Sequence, residues 1–109
     1  MRVSGKKQAV KKIVHSYADE LRRKGVSFSH VYLFGSHAKG TPRAWSDIDV
    51  AVVVKKKSAA SFRKDMKLWS IAPDVDRRIE PILIEERDLH SDTPNPIAWE
   101  VYSTGIRIE

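Results

Sequence analysis

The stretch Phe34–Val54, FGSHAKGTPRAWSDIDVAVVV, decides how the rest of the chain is read. It opens with Gly35-Ser36 after an apolar run, continues for ten residues, and reaches Asp47-Ile48-Asp49 at the head of a second apolar run. Both runs read as strands. Alternation sends successive strand side chains to opposite faces, so Asp47 and Asp49 share a face, about 6.6 Å apart along the chain at a rise of roughly 3.3 Å per residue. Two carboxylates at that spacing can turn toward one point, where a hard divalent cation would hold them. A Gly-Ser turn ending the preceding strand offers backbone N–H groups and a hydroxyl, which suit a phosphate. Acid ligands beside a phosphate cradle point to nucleotide chemistry.

Working outward, residues 6–24 read as an amphipathic helix. Val10, Ile13, Val14, Tyr17 and Leu21 form one apolar stripe, and Arg22, Arg23, Lys24 and Gly25 mark its end. His15 lies off the stripe and is expected at the surface. Val26–Phe34 holds the first strand, strongest over residues 31–34. Residues 36–46 form a loop or short helix. The second strand, 47–54, is apolar on both faces beyond its aspartates and is expected to be central and covered on both sides. Residues 58–71 fit a second helix, with Ala59, Phe62, Met66 and Trp69 as its packing stripe and Pro73 as its stop. A turn at 74–76 leads to a third strand, 77–84, where Pro81 implies an edge or bulge. Residues 85–93 are a polar connection. A last helix, 95–103, carries Ile97, Trp99 and Val101 as packing residues, Gly105 ends it, and 106–109 form a short final strand. The order implies an α+β fold: a small mixed sheet flanked by helices.

Bulk properties set limits. A chain of 109 residues supports one domain spanning 1–109 with a single modest core. Hydrophobic residues at 41% and charged ones at 31% describe a globular chain rather than a disordered one. The absence of cysteine excludes disulfides and thiolate metal sites. No apolar run approaches the roughly 20 residues of a membrane span, and the N-terminus lacks a signal-peptide core, so a soluble cytoplasmic protein is expected. The formal charge of +6 bears on solubility and on attraction to polyanions, not on fold. Direct nucleic-acid binding is not favoured, because no basic patch interleaved with aromatics stands out in the sequence.

Carboxylates facing a covered sheet surface need compensation. If the second and third strands are neighbours, Glu80 joins Asp47 and Asp49, with Asp76 as the alternative third acid. Magnesium held by a few carboxylates and substrate phosphates is the usual answer to such a charge. Lys39 and Arg43 lie between cradle and aspartates and could contact phosphate. His37, directly after the Gly-Ser, is a candidate for a supporting contact or for a surface position.

Gly35-Ser36, ten residues, then Asp47-Ile48-Asp49, with a later acid in a strand, resembles the pattern of the DNA polymerase β-like nucleotidyltransferase superfamily. Within it the chain is most similar to the minimal nucleotidyltransferases, single-domain proteins paired with HEPN-domain toxins. That resemblance implies that Gly35 and Ser36 bind the phosphates of a nucleoside triphosphate, and that Asp47 and Asp49 ligate two Mg²⁺ ions. Glu80 would ligate the ion at the acceptor hydroxyl and help remove its proton. It further implies an antitoxin that transfers AMP from ATP to a tyrosine of the HEPN partner, in a homo- or hetero-oligomer. The competing readings are a non-catalytic antitoxin acting by complex formation, and nucleotidyl transfer to a small molecule or RNA. No acceptor-binding domain is present, so the second substrate is expected to come from a partner.

Overall fold

The computed structural model describes residues 2–41, 46–90 and 95–109. Helix α1 (Arg2–Arg23) is followed by β1 (His30–Phe34), the single-turn α2 (Ser36–Lys39), β2 (Ile48–Val54) and α3 (Ser61–Val75). Then come β3 (Ile79–Glu85), a 3-10 turn at Glu86–Leu89, α4 (Pro96–Thr104) and β4 (Ile106–Arg107).

The four strands form one sheet in the order β3-β2-β1-β4. β2 runs antiparallel to β1 and parallel to β3, and β1 runs antiparallel to β4. The parallel pair requires a crossover, which α3 supplies. β2 is central, as its two apolar faces demand. Ile48, Val50 and Val52 pack with Val14, Tyr17, Leu21, Leu68 and Ile71 of α1 and α3. Ala51 and Val53, on the opposite face, pack with Phe34, Ile84, Leu89 and Val101. Tyr17 is fully buried and its hydroxyl donates to the Leu68 carbonyl at 2.7 Å, tying α1 to α3. Burial is the main cause that pushes this hydroxyl's pKa up, with the Asp65 charge adding to it.

Several expected boundaries move. α1 starts at Arg2 rather than residue 6, and β1 at His30 rather than within 26–29. α3 does not stop at Pro73 but runs through it to Val75, so Asp74 and Val75 are helical rather than part of a turn. A helical proline removes the N–H that would bond the carbonyl four residues back. Here that carbonyl belongs to Trp69, on the solvent side of the helix, where water can take the missing donor's place.

The packing stripe expected for α3 faces the wrong way. Phe62, Met66 and Trp69 are exposed, as is Ala59, and the buried arc is Leu68, Ile71 and Ala72. α4 repeats the pattern: Ala98 and Val101 are buried, and Ile97 and Trp99 face out. Asn95 caps α4 by accepting the Ala98 N–H at 2.8 Å, and Gly105 ends it. β3 lies at the sheet edge, where Pro81 is tolerated. His15 is half exposed and bonds Glu109. Among the described residues no helix is long and apolar enough to cross a membrane.

Candidate active site

The site is assembled by register. Phe34 stands opposite Asp49 in the β1–β2 ladder, so the turn that follows β1 lies over the start of β2. Asp49 stands opposite Glu80 in the parallel β2–β3 ladder. Paired residues share a face, so both acids project from the side that also carries Ala51, Val53 and Ile84. Asp47, two residues before Asp49, joins them at the strand's mouth.

Gly35 makes the close approach possible. Its φ of 76° lies in the left-handed region, and a Cβ placed there would collide with the Asp49 carboxylate. The turn needs glycine for its backbone angle and again for the space the acid occupies. From Gly35 the chain enters α2, whose Ala38 and Lys39 N–H groups return to the Gly35 carbonyl at 3.1 Å. Gly40, at φ 77°, closes the turn.

Gly35, Ser36, Lys39, Thr41, Ser46, Asp47, Asp49 and Glu100 line an open cleft of about 550 Å³. Its charges interact strongly. The Glu80 carboxyl is pushed up to about 7, chiefly by its hydrogen bond to Asp47, then by partial burial and the charges of Asp47 and Asp49. Glu80 is an exposed residue, so its neighbours rather than its burial dominate. Asp49 is also held above the usual carboxylate range, first by burial and then by Asp47 and Glu100, with His37 pulling the other way.

All but one of the expected residues can be placed. Asp47, Asp49 and Glu80 converge. Gly35, Ser36 and Lys39 line the same cleft as the two aspartates. Arg43 lies outside the described residues. Asp76 is engaged elsewhere: it accepts from the Arg78 backbone N–H at 2.8 Å and from the guanidinium at 3.1 Å, which holds its pKa down. His37 is buried rather than at the surface, and its Nε2–H donates to the Ser46 carbonyl at 3.2 Å. That bond ties α2 to the residue before Asp47.

Thr41, Ser46 and Glu100 are cleft residues that sequence reasoning missed, and Glu100 is the charged one. Glu100 reaches in from α4 and pairs with Lys39 at 3.3 Å. Its only local signal was a charged position on a short helix, and nothing in the spacing linked residue 100 to residue 39.

Among the described residues, no three His, Asp or Glu side chains are already gathered as a metal centre. The donor set nevertheless suits a hard divalent cation. It is all oxygen and anionic, and its negative charges help hold the Asp49 and Glu80 carboxyls above their ordinary values.

Comparison with known proteins is consistent with this arrangement. Residues 14–104 match the family described as "Nucleotidyltransferase domain". The chain is 31% identical over a 106-residue alignment to a Methanocaldococcus jannaschii protein described as a candidate protein adenylyltransferase, covering 89% of this chain and 71% of that one. Among solved structures, a nucleotidyltransferase candidate from Sulfolobus solfataricus superimposes with a TM-score of 0.64 at 18% identity, over 98% of this chain and 86% of its own. A toxin–antitoxin structure with AMP-PNP gives 0.57 at 24% identity, over 91% of this chain and 72% of that one. A mutant MntA–HepT toxin–antitoxin structure gives 0.52 at 24% identity, over 87% and 71%. Identities this low speak for the fold alone. The family match across most of the chain and the relative above 30% identity decide the matter: the chain belongs to the nucleotidyltransferase domain family.

Proposed function

We propose that this chain transfers AMP from ATP to a hydroxyl group, the acceptor being a tyrosine of a HEPN-type toxin that the chain silences as an antitoxin. The observation that carries the proposal is the closeness of the Gly35-Ser36 turn to the Asp47 and Asp49 carboxylates, with Asp49 set against Gly35 where no side chain would fit and Glu80 bonded to Asp47 from the neighbouring strand. Phosphates and acids meet at such a place only if cations stand between them.

Gly35 and Ser36 would receive the β- and γ-phosphates, and Lys39, once released from Glu100, would add a positive charge beside them. Asp47, Asp49 and Glu80 would hold two Mg²⁺ ions. Bound there, the ions would neutralise the phosphates and favour in-line displacement. The acceptor oxygen would form a bond to the α-phosphorus as the bond to the departing pyrophosphate breaks, and Glu80 would take the hydroxyl proton. His37 holds Ser46, and so the approach to Asp47, in register with the turn. Alignment and charge compensation supply most of the rate in such chemistry.

The adenylyl and toxin–antitoxin parts draw support from the M. jannaschii relative's description and from the fold shared with the toxin–antitoxin structures. To test them, the protein is incubated with MgATP and the helical product of its neighbouring gene, and the intact mass of that product is followed. A gain of one or more AMP groups on tyrosine, lost in Asp49→Asn, is expected. An unmodified partner bound just as tightly by Asp49→Asn would instead favour neutralisation by complex formation.

A further inference from the structure

α3 carries two apolar arcs, and the fold uses one. Leu68, Ile71 and Ala72 are buried against the sheet and α1, while Phe62, Met66 and Trp69 are 72%, 58% and 50% exposed. At about 100° per residue, Phe62, Met66, Trp69 and the exposed Pro73 fall within an arc of about 60° and extend about 16 Å along the axis. Single exposed apolar residues need no explanation, but a continuous row at i, i+4, i+7 and i+11 is the seam by which one helix receives another. A groove of about 390 Å³ runs beside the row toward the edge strand and is lined by Phe62, Trp69, Pro81, Ile82 and Leu83, among others.

Charge narrows the occupant. Arg63 is exposed on one flank of the row, the exposed Lys67 lies further round on the same side with its ammonium donating to the Lys24 carbonyl at 3.4 Å, and Lys55-Lys56-Lys57 leads toward the row's N-terminal end. Asp65 stands on the other flank, within the groove. A phosphate backbone would meet the Asp65 carboxylate just where bases would have to stack on Phe62 and Trp69. A second copy would bring a chain of the same +6 charge against this basic flank. A protein helix with acid along one border meets neither obstacle.

We propose that the outward face of α3 docks an amphipathic helix of a partner protein, one whose apolar stripe is bordered by Asp or Glu on the side facing Arg63 and Lys67. α3 covers the sheet face opposite the one from which Asp49 projects, so docking leaves the nucleotide cleft open. It concerns binding alone and stands whether or not the cleft transfers AMP.

The test places a photo-crosslinking residue at Met66, and in a second chain at exposed Ser70, in the cells that encode the protein, and maps the crosslinked peptide by mass spectrometry. The expected product joins either position to a helical segment of another protein with an acid-bordered apolar stripe. Its yield falls at least tenfold when Arg63→Glu and Lys67→Glu are combined, with the circular dichroism spectrum unchanged, and it persists in Asp49→Asn. A crosslink to RNA, to another copy of this chain or to nothing would overturn the proposal, as would a yield insensitive to charge reversal. Loss of the crosslink in Asp49→Asn would overturn its independence from the cleft.

Discussion

Gly35 is held by two separate constraints, a positive φ and the Asp49 carboxylate in the space a Cβ would take. Gly35→Ala must either push Asp49 aside or distort the turn, at a cost of about 1–3 kcal/mol. Urea unfolding should show that loss together with loss of transferase activity, and an alanine variant of native stability would contradict it. Glu80 behaves differently, because its folded-state pKa is raised from 4.5 to about 7. A raised carboxyl pKa means the folded state binds the proton better, so metal-free stability falls as pH rises from about 4.5 to about 7 and stays low above it. Glu80→Gln should therefore stabilise the metal-free protein above about pH 7, by up to about 1 kcal/mol once solvent screening at this exposed group is allowed for, and not at pH 4. Equal gains at pH 4 and pH 8 would count against this. Asp47 and Asp49 were legible in the sequence because strand alternation and the Gly-Ser spacing are local, whereas Glu80 depended on β2 and β3 being neighbours. Glu100 was not, since only folding brings α4 to Lys39.

α3 marks the limit of periodicity. Its two apolar arcs both satisfy helical spacing, and sequence alone cannot say which one meets the sheet. Phe62, Met66 and Trp69 are the larger side chains and drew the assignment, but Leu68, Ile71 and Ala72 lie toward α1, where smaller groups allow the elements to approach closely. Pro73 was equally ambiguous, because its cost depends on whether the freed carbonyl faces water. The α1–α3 contact rests partly on Tyr17, whose hydroxyl bonds the Leu68 carbonyl in a buried setting. Tyr17→Phe should lower stability by about 1 kcal/mol with the ring's packing retained, measured as a shift in denaturant midpoint with unchanged slope. An unchanged midpoint would show that the hydroxyl contributes nothing. The strands were the easier reading: the central place of β2 and the edge place of β3 follow from its two apolar faces and from Pro81.

For the whole molecule, two sets of carboxylates pull stability in opposite directions with pH. Asp76 is held below the usual range by Arg78, Glu85 by the Lys57 N–H and then Arg87, and Glu109 by Arg22 and then His15. Their contribution is present above the ordinary carboxylate pKa, about 3.9–4.3, and is lost as pH falls through their folded values. Asp49 and Glu80 act in the opposite sense, their contribution being lost as pH rises through their raised folded values, for Glu80 about 7. The metal-free protein should accordingly be most stable at a pH below the folded value of Glu80, and Mg²⁺ should move that maximum toward neutrality by binding the folded acids. Urea midpoints across pH 3–8 with and without Mg²⁺ test this, and a maximum unmoved by the metal would contradict it. The central claim, nucleotidyl transfer at the cleft formed by Gly35, Ser36, Asp47 and Asp49, is tested most directly with ATP labelled at either the α- or the γ-phosphate. Incubated with Mg²⁺ and the partner protein, the acceptor should take label from the α-position only, and none in Asp47→Asn or Asp49→Asn. Label from the γ-position, or α-label that survives both substitutions, would contradict the account.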